Sequence, residues 1–196
     1  MLFRSLKRTQ LQHIDFLNEQ IEVLGQEIKE RMRSFEEAIE ALDGIPGISR
    51  TNAEQILCET GIDMSRFPTH RHFASWAALC PGNNESAGKR KSGRTRNGNM
   101  SLKAALTQAA ISASRTKGTY LNVMYHRLAA RRGKNKAIVA VAHAILVTIY
   151  HMLKNGSSYH DLGVNHFNEI NHQATVKRSI KRLESMGYKV TVEPAA

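Results

Sequence analysis

Apolar residues recur along the first part of the chain at alternating spacings of three and four. The run is Ile14, Leu17, Ile21, Leu24 and Ile28, then, after a second step of four, Met32, Phe35, Ile39 and Leu42. Such spacing marks a coiled-coil seam, and the repeated step of four is a stutter near Ile28. With no Pro and one Gly between Leu6 and Leu42, the pattern predicts one continuous helix of about 55 Å at about 1.5 Å per residue. A rod with so narrow a seam and such charged flanks cannot bury that seam alone. Its partner is a second copy or chain outside this sequence, and the alternative is a helix folded back on the chain's own core.

Asp43-Gly44-Ile45-Pro46-Gly47-Ile48-Ser49 interrupts this periodicity, and Thr51 with Glu54 has the form of a capping box. The pattern predicts a tight turn feeding a helix over about 50–60, closed by Gly61. Helix, glycine-containing hairpin and helix make a helix-hairpin-helix, in which backbone N–H groups of Gly47, Ile48 and Ser49 would hold a phosphate. A plain turn needed only for packing is the alternative, since Ser49 stands where such modules often carry a second glycine.

Further on, residues 69–79 read as a short helix sending Phe73, Trp76, Ala77 and Leu79 into a core, ended by Cys80-Pro81-Gly82. Residues 101–117 carry Leu102, Ala105, Leu106, Ala109 and Ala113 on one face, and 119–132 carry Tyr120, Val123, Met124 and Leu128. Residues 136–153 are apolar nearly all round, which predicts a central helix surrounded by the others and closed at Gly156. A basic helix over 173–187 follows, with at most a short strand from Lys189. The fold class is therefore mainly α: a coiled-coil helix over 1–42, a compact helical domain over 43–163 and a basic tail helix over 164–196.

Charge then changes the picture. The net charge is +11, but residues 1–63 hold 7 Lys/Arg against 12 Asp/Glu, and residues 64–196 hold 21 against 5. A polyanion, nucleic acid by default, is the partner, and the second part of the chain receives it. The stretch from Gly82 to Asn99 concentrates that charge: Lys89, Arg90, Lys91, Arg94 and Arg96 lie among four glycines with no large apolar residue. Such a loop cannot be held by burial and is built to lie against a phosphate backbone. Two cysteines without a CxxC give neither a disulfide framework nor a zinc ribbon. His70 with His72, His143 with His151, and His160, Asp161 and His166 make no convincing metal set. The N-terminus lacks a signal-peptide core, and His143 and Thr148 interrupt the most apolar stretch, so neither secretion nor a membrane partner is expected. A cytoplasmic, nucleoid-associated protein is the expectation.

Ile45-Pro-Gly-Ile, Trp76-Ala-Ala-Leu-Cys-Pro-Gly, Ser86-Ala-Gly-Lys and Gly93-Arg-Thr-Arg-Asn-Gly-Asn occur here in succession. With Ala137-Ile-Val-Ala-Val-Ala-His-Ala-Ile-Leu and Tyr150-His-Met-Leu-Lys-Asn-Gly, they resemble the C-terminal domain of the DEDD-type, bridge-RNA-guided insertion-sequence transposases, the IS one-ten family. The resemblance implies DNA transposition by a nucleophilic serine, which falls on Ser86, with Ala87 replacing the usual glycine. A serine hydroxyl attacking a phosphodiester would form a phosphoserine link that conserves bond energy for rejoining, and Lys89, Arg90, Arg94 and Arg96 would hold the backbone and the developing charge. It also implies homo-oligomerisation through the coiled coil, DNA and a structured guide RNA as partners, and magnesium held by a RuvC-like nuclease half. The four Asp of this sequence are spread over different elements, so that half is expected to lie outside it, and the chain alone to bind DNA without completing recombination. A different class of protein fits the same charge pattern: a non-catalytic helical DNA- or RNA-binding module in which Ser86 has no role. A scaffold whose coil recruits a protein partner is a third.

Overall fold

A computed structural model describes residues 2–82, 84–95 and 97–191; side chains are described for all of these except 2–6, 84, 90, 91, 171, 173 and 175. Eight α-helices run in the order α1 (Leu2–Arg31), α2 (Glu36–Asp43), α3 (Arg50–Thr60), α4 (His70–Trp76), α5 (Met100–Ala113), α6 (Tyr120–Arg132), α7 (Lys134–Asn155) and α8 (His166–Ser185). Between α4 and α5 lies a hairpin of β1 (Asn84–Ser86) and β2 (Lys89–Ser92).

The expected continuous rod to Leu42 is not what forms. The helix ends at Arg31, the chain tightens into a 3₁₀ turn over Arg33–Phe35 where Phe35 N–H donates to Met32 O at 2.8 Å, and α2 starts anew. The break sits just past the stutter and divides the seam. Ile14, Leu17, Ile21, Leu24 and Ile28 are exposed on α1, whereas Met32, Ile39 and Leu42 enter the chain's own core. A heptad pattern cannot distinguish these two fates, because both halves present one apolar stripe.

α7 is the centre, packed by α2, α4, α5 and α6. Val141, Ala142, Ile145, Leu146 and Ile149 are fully buried. Among the described helices it alone has the length and apolar composition to cross a membrane, but those side chains face the surrounding helices instead. Gly156 in the left-handed region ends it, as its sequence predicts. α5 packs through Leu102, Ala105, Leu106, Ala109 and Ala113, and its small residues let neighbouring backbones approach closely. α6 differs from expectation: Leu121 is its buried residue, and Tyr120, Val123, Met124 and Leu128 are only half-covered.

Other boundaries shift for local reasons. α3 is capped by Ser49, whose hydroxyl accepts from Asn52 N–H at 3.4 Å, rather than by a box starting at Thr51. Trp76 is 37% exposed and lies over Phe67 and Phe73 instead of entering the core, which Ala74, Ala77, Ala78 and Leu79 fill. α8 starts at His166, seven residues before the expected basic helix, because Phe167 stacks on Tyr120 at 5.0 Å and fastens it to α6. No strand forms over residues 189–191, and residue 192 of the expected strand lies outside the described residues.

Candidate nucleic-acid interface and the serine hairpin

The basic segment folds back on itself. Ser86 pairs with Lys89 and Glu85 with Arg90, whereas Asn84 pairs with Ser92, so Lys91 is the extra residue of a β-bulge. The two residues between the strands, Ala87 and Gly88, have φ of 52° and 72°. Positive φ at both positions is a type I′ turn, whose twist matches that of the strands it joins. A regular two-residue turn therefore stands where the composition predicts only a loop. Alanine at its first position is strained, since a left-handed backbone costs an L-residue with a Cβ roughly 1–2 kcal/mol. That explains why a glycine would be usual there.

The base of the hairpin is clamped to the helical body. Gly82 N–H donates to Arg94 O at 2.8 Å, Pro81 bridges Thr95, and Asn99 N–H donates to Trp76 O at 3.0 Å. At the end of α4, Leu79 N–H reaches Ala74 O and Ala78 N–H reaches Ser75 O, both characteristic of a Schellman cap, with Ala78 at φ 56°. Gly98 lies flat on this cap: a Cβ there would press on Trp76 O and sit 3.0 Å from Ala78 N and Cβ. Asn99 completes the anchor. Its Oδ1 accepts from Leu102 N–H at 2.9 Å, capping α5, while its Nδ2 donates to Glu59 at 2.7 Å. These bonds, with Ser101, hold the Glu59 carboxyl below its ordinary pKa. The Asn97-Gly98-Asn99 end of the segment is thus its attachment.

Glu85, Ser86, Ala87, Gly88 and Lys89 are all exposed, and the strands stand off the helices. Ser86 and Lys89 are directly opposed, so their Cβ atoms are about 4.5–5.5 Å apart on one face of the hairpin. Arg94 is exposed at the base. The backbone of Arg90 pairs in β2, its side chain is outside the described set, and Arg96 lies outside the described residues altogether.

The α2–α3 turn is placed differently from the hairpin. Gly47, at φ 94°, is pressed against α5, and a Cβ there would fall well inside 3.0 Å of Ala109 O and Ala113 N. Ile48 is buried and its N–H donates to Ile45 O at 3.0 Å. Ser49 is exposed, with its hydroxyl engaged as the α3 cap. Beside them Arg50 makes a two-point ion pair with Glu36, at 2.6 and 2.7 Å, and reaches Glu54 at 3.1 Å. Two carboxylates therefore flank this turn, whereas the hairpin segment exposes Lys89 and Arg94 with Glu85 among its described side chains.

A basic cluster at the α6–α7 elbow went unremarked in the sequence. Arg131, Arg132, Lys134 and Lys136 are exposed around Gly133, and the signal was four cations in six positions. The fold brings this elbow to the hairpin. Asn135 and Lys136 share with Gly93, Arg94 and Thr95 the lining of a cavity of about 700 Å³, to which Leu79, Met124, Val139 and Ala140 contribute apolar surface. His143 lines it too, and burial, with the nearby His70 charge, lowers its pKa. Asp161, read as a loop residue, fastens its segment instead: it accepts from Tyr120 N–H, Gly163 N–H and the Tyr159 hydroxyl. Cys58 and Cys80 are free thiols. Among the described residues no three His, Cys, Asp or Glu side chains gather as a metal site. Those residues therefore offer no ligand set for the magnesium that the resemblance implies.

Residues 39–126 match the model of the transposase IS116/IS110/IS902 family. The match takes in α2, the turn with Gly47, the serine hairpin and its anchor, α5 and the first half of α6. It supports a role in insertion-sequence transposition, and hence an interaction with DNA. No curated protein matches the chain. The family match ends before the α6–α7 elbow, so the basic cluster and the far wall of the cavity lie outside it.

Proposed function

We propose that the chain is the DNA-engaging, serine-bearing part of an insertion-sequence transposase of this family. The observation that carries the reading is Ser86, exposed on the hairpin directly opposite Lys89 and within a match to a transposase family. The Ser86 hydroxyl attacks a DNA phosphorus, the new Oγ–P bond replaces a P–O bond to deoxyribose, and the released sugar oxygen takes up a proton. The proton leaving Oγ goes to a general base that the opposing segment or partner supplies. Lys89 stabilises the charge gathering on the phosphoryl oxygens, and Arg94, with Arg90 and Arg96, holds the flanking backbone. A structured guide RNA is a second polyanion for the same cationic surface. The exposed seam of α1, Ile14 to Ile28, pairs with a second copy. Recombination is completed with a RuvC-like nuclease segment that holds magnesium.

The test incubates the chain, with and without a RuvC-like segment of the same family, with labelled duplexes covering the DNA that flanks its gene. A detergent-resistant protein–DNA adduct mapping to Ser86 and lost in Ser86→Ala is expected only with that segment. An adduct formed by the chain alone removes the requirement for the second half. Undiminished activity in Ser86→Ala leaves a non-catalytic nucleic-acid-binding module.

A further inference from the structure

The cavity between the hairpin base and the α6–α7 elbow has the size and chemistry of a ligand site. Its roughly 700 Å³ lies within the range of about 300–1,000 Å³ usual for small-molecule pockets. The floor of Leu79, Met124, Val139 and Ala140 is apolar. Convergent polar groups are few: the Asn135 amide, the His143 imidazole and the Thr95 hydroxyl, which accepts from Lys103 Nζ at 2.7 Å and keeps its own proton to donate. Two cations share the lining, Arg94 from the hairpin base and Lys136 from the elbow. Apolar surface, donor–acceptor groups and two cations in one lining match a heterocyclic base with the phosphates that precede and follow it. An apolar peptide would leave those cations without partners.

We propose that this cavity receives one unpaired nucleobase, drawn out of the stack of the nucleic acid that lies along the serine hairpin; the inference rests on that nucleic-acid reading. Asn135 meets the edge of the base, because an amide offers a donor and an acceptor side by side. The half-buried His143 imidazole, which also lines the cavity, adds one of each in its neutral form. Pro81 at the cavity and Ser86 are five residues apart, at most about 17 Å of extended chain, so the captured base lies about five nucleotides or fewer from the reacting phosphate. Holding a base unpaired next to a cut would keep the strand open for exchange.

The experiment compares two duplexes of identical sequence on the full chain, one continuous and one carrying a single unpaired 2-aminopurine, by anisotropy and 2-aminopurine emission. Unstacking a paired base costs a few kcal/mol, so the duplex that has already met that cost should bind at least about tenfold more tightly. Its emission should rise, because no Trp, Tyr or Phe ring is among the described residues that line the cavity. Ala140→Phe, which fills the floor, should remove both effects while leaving affinity for the continuous duplex unchanged. Asn135→Ala, an exposed rim change that the fold tolerates, should reduce both should Ala140→Phe fail to fold. Equal binding of the two duplexes without a rise in emission overturns the base pocket and leaves the nucleic-acid reading standing. Persistence of the rise in Asn135→Ala and in a folded Ala140→Phe places the base elsewhere and overturns it as well. Failure to bind either duplex overturns the nucleic-acid reading itself, and the pocket with it.

Discussion

Gly47→Ala separates two roles for the α2–α3 turn, a phosphate cradle and a packing joint. At φ 94° an alanine is placed where L-residues rarely sit, at a cost of roughly 1–2 kcal/mol. Its Cβ would meet the α5 backbone at Ala109 O and Ala113 N and lie 2.8 Å from Ala113 Cβ. Neither backbone atom can swing away, so α5 must separate from the turn, and overpacking of this kind costs about 1–3 kcal/mol. Together the variant should lose about 3 kcal/mol, which at about 2–4 °C per kcal/mol lowers Tm by roughly 6–12 °C. In urea the midpoint should fall by about 1–1.5 M with an unchanged slope. Fluorescence anisotropy on a duplex, at a temperature where both proteins are folded, should show affinities within about twofold of each other. An unchanged Tm with a tenfold loss of affinity would refute the packing argument and support the backbone of Gly47, Ile48 and Ser49 as a phosphate site.

The other predictions concern the hairpin and its anchor. Lys89→Ala and Arg94→Ala should each reduce the slope of log affinity against log salt by about 0.9 for every phosphate that the variant no longer neutralises, while Ser86→Ala should leave that slope alone. Ala87→Gly should relieve the turn by up to about 1 kcal/mol, read as slower amide exchange across the Ser86–Lys89 pair, and faster exchange would contradict the assigned φ. Asn99→Ala should cost about 1 kcal/mol through the α5 cap alone. Glu59 has a folded pKa below the ordinary 4.5, so its contribution to stability is present above that value and lost as pH falls through the lowered one. Glu59→Gln should therefore flatten the acid limb of a stability–pH curve, and an unaltered limb would remove the Asn99–Glu59 bond from the account.

Much of the helical body was legible because its pattern has a single solution. α7 is apolar on nearly every side and must be central, and the Leu102-to-Ala113 face of α5 has nowhere to go except inward. The break at Met32 was not legible, since Met32, Ile39 and Leu42 continue the spacing of Ile14 to Ile28 while serving a different core. The hairpin escaped detection because strands are read from alternating apolar residues, and residues 84–92 have none; its signals are the Ala87-Gly88 turn and cross-strand pairing. Of the candidate site, charge marked the segment that folds as the hairpin, and the resemblance marked Ser86 within it. Sequence spacing could not bring Lys136 on α7 to the same cavity as Arg94, a juxtaposition made across 42 positions and only after α6 and α7 pack.

Two alanines have a left-handed backbone, Ala78 beneath the base of this segment and Ala87 at its tip, and their surroundings differ. Ala78 is fully buried, its positive φ is held by two cap hydrogen bonds, and Gly98 covers it, so the anchor over-determines that conformation. Ala87 has only the hairpin to hold it, and a two-stranded hairpin without a packed face is marginal in water. Strain is thus secured at the base and unopposed at the tip, beside Ser86. A rigid base with a marginal tip gives the serine a fixed point of attachment but leaves the Ser86–Lys89 pair to be ordered by what binds it. A polyanion running between the hairpin and the α6–α7 elbow would supply that order, since it draws Lys89, Arg94 and Lys136 toward one backbone and offsets the turn strain with charge-assisted contacts. Under the proposed function the serine would then react only on a correctly seated strand, which is the control that cutting and rejoining DNA requires.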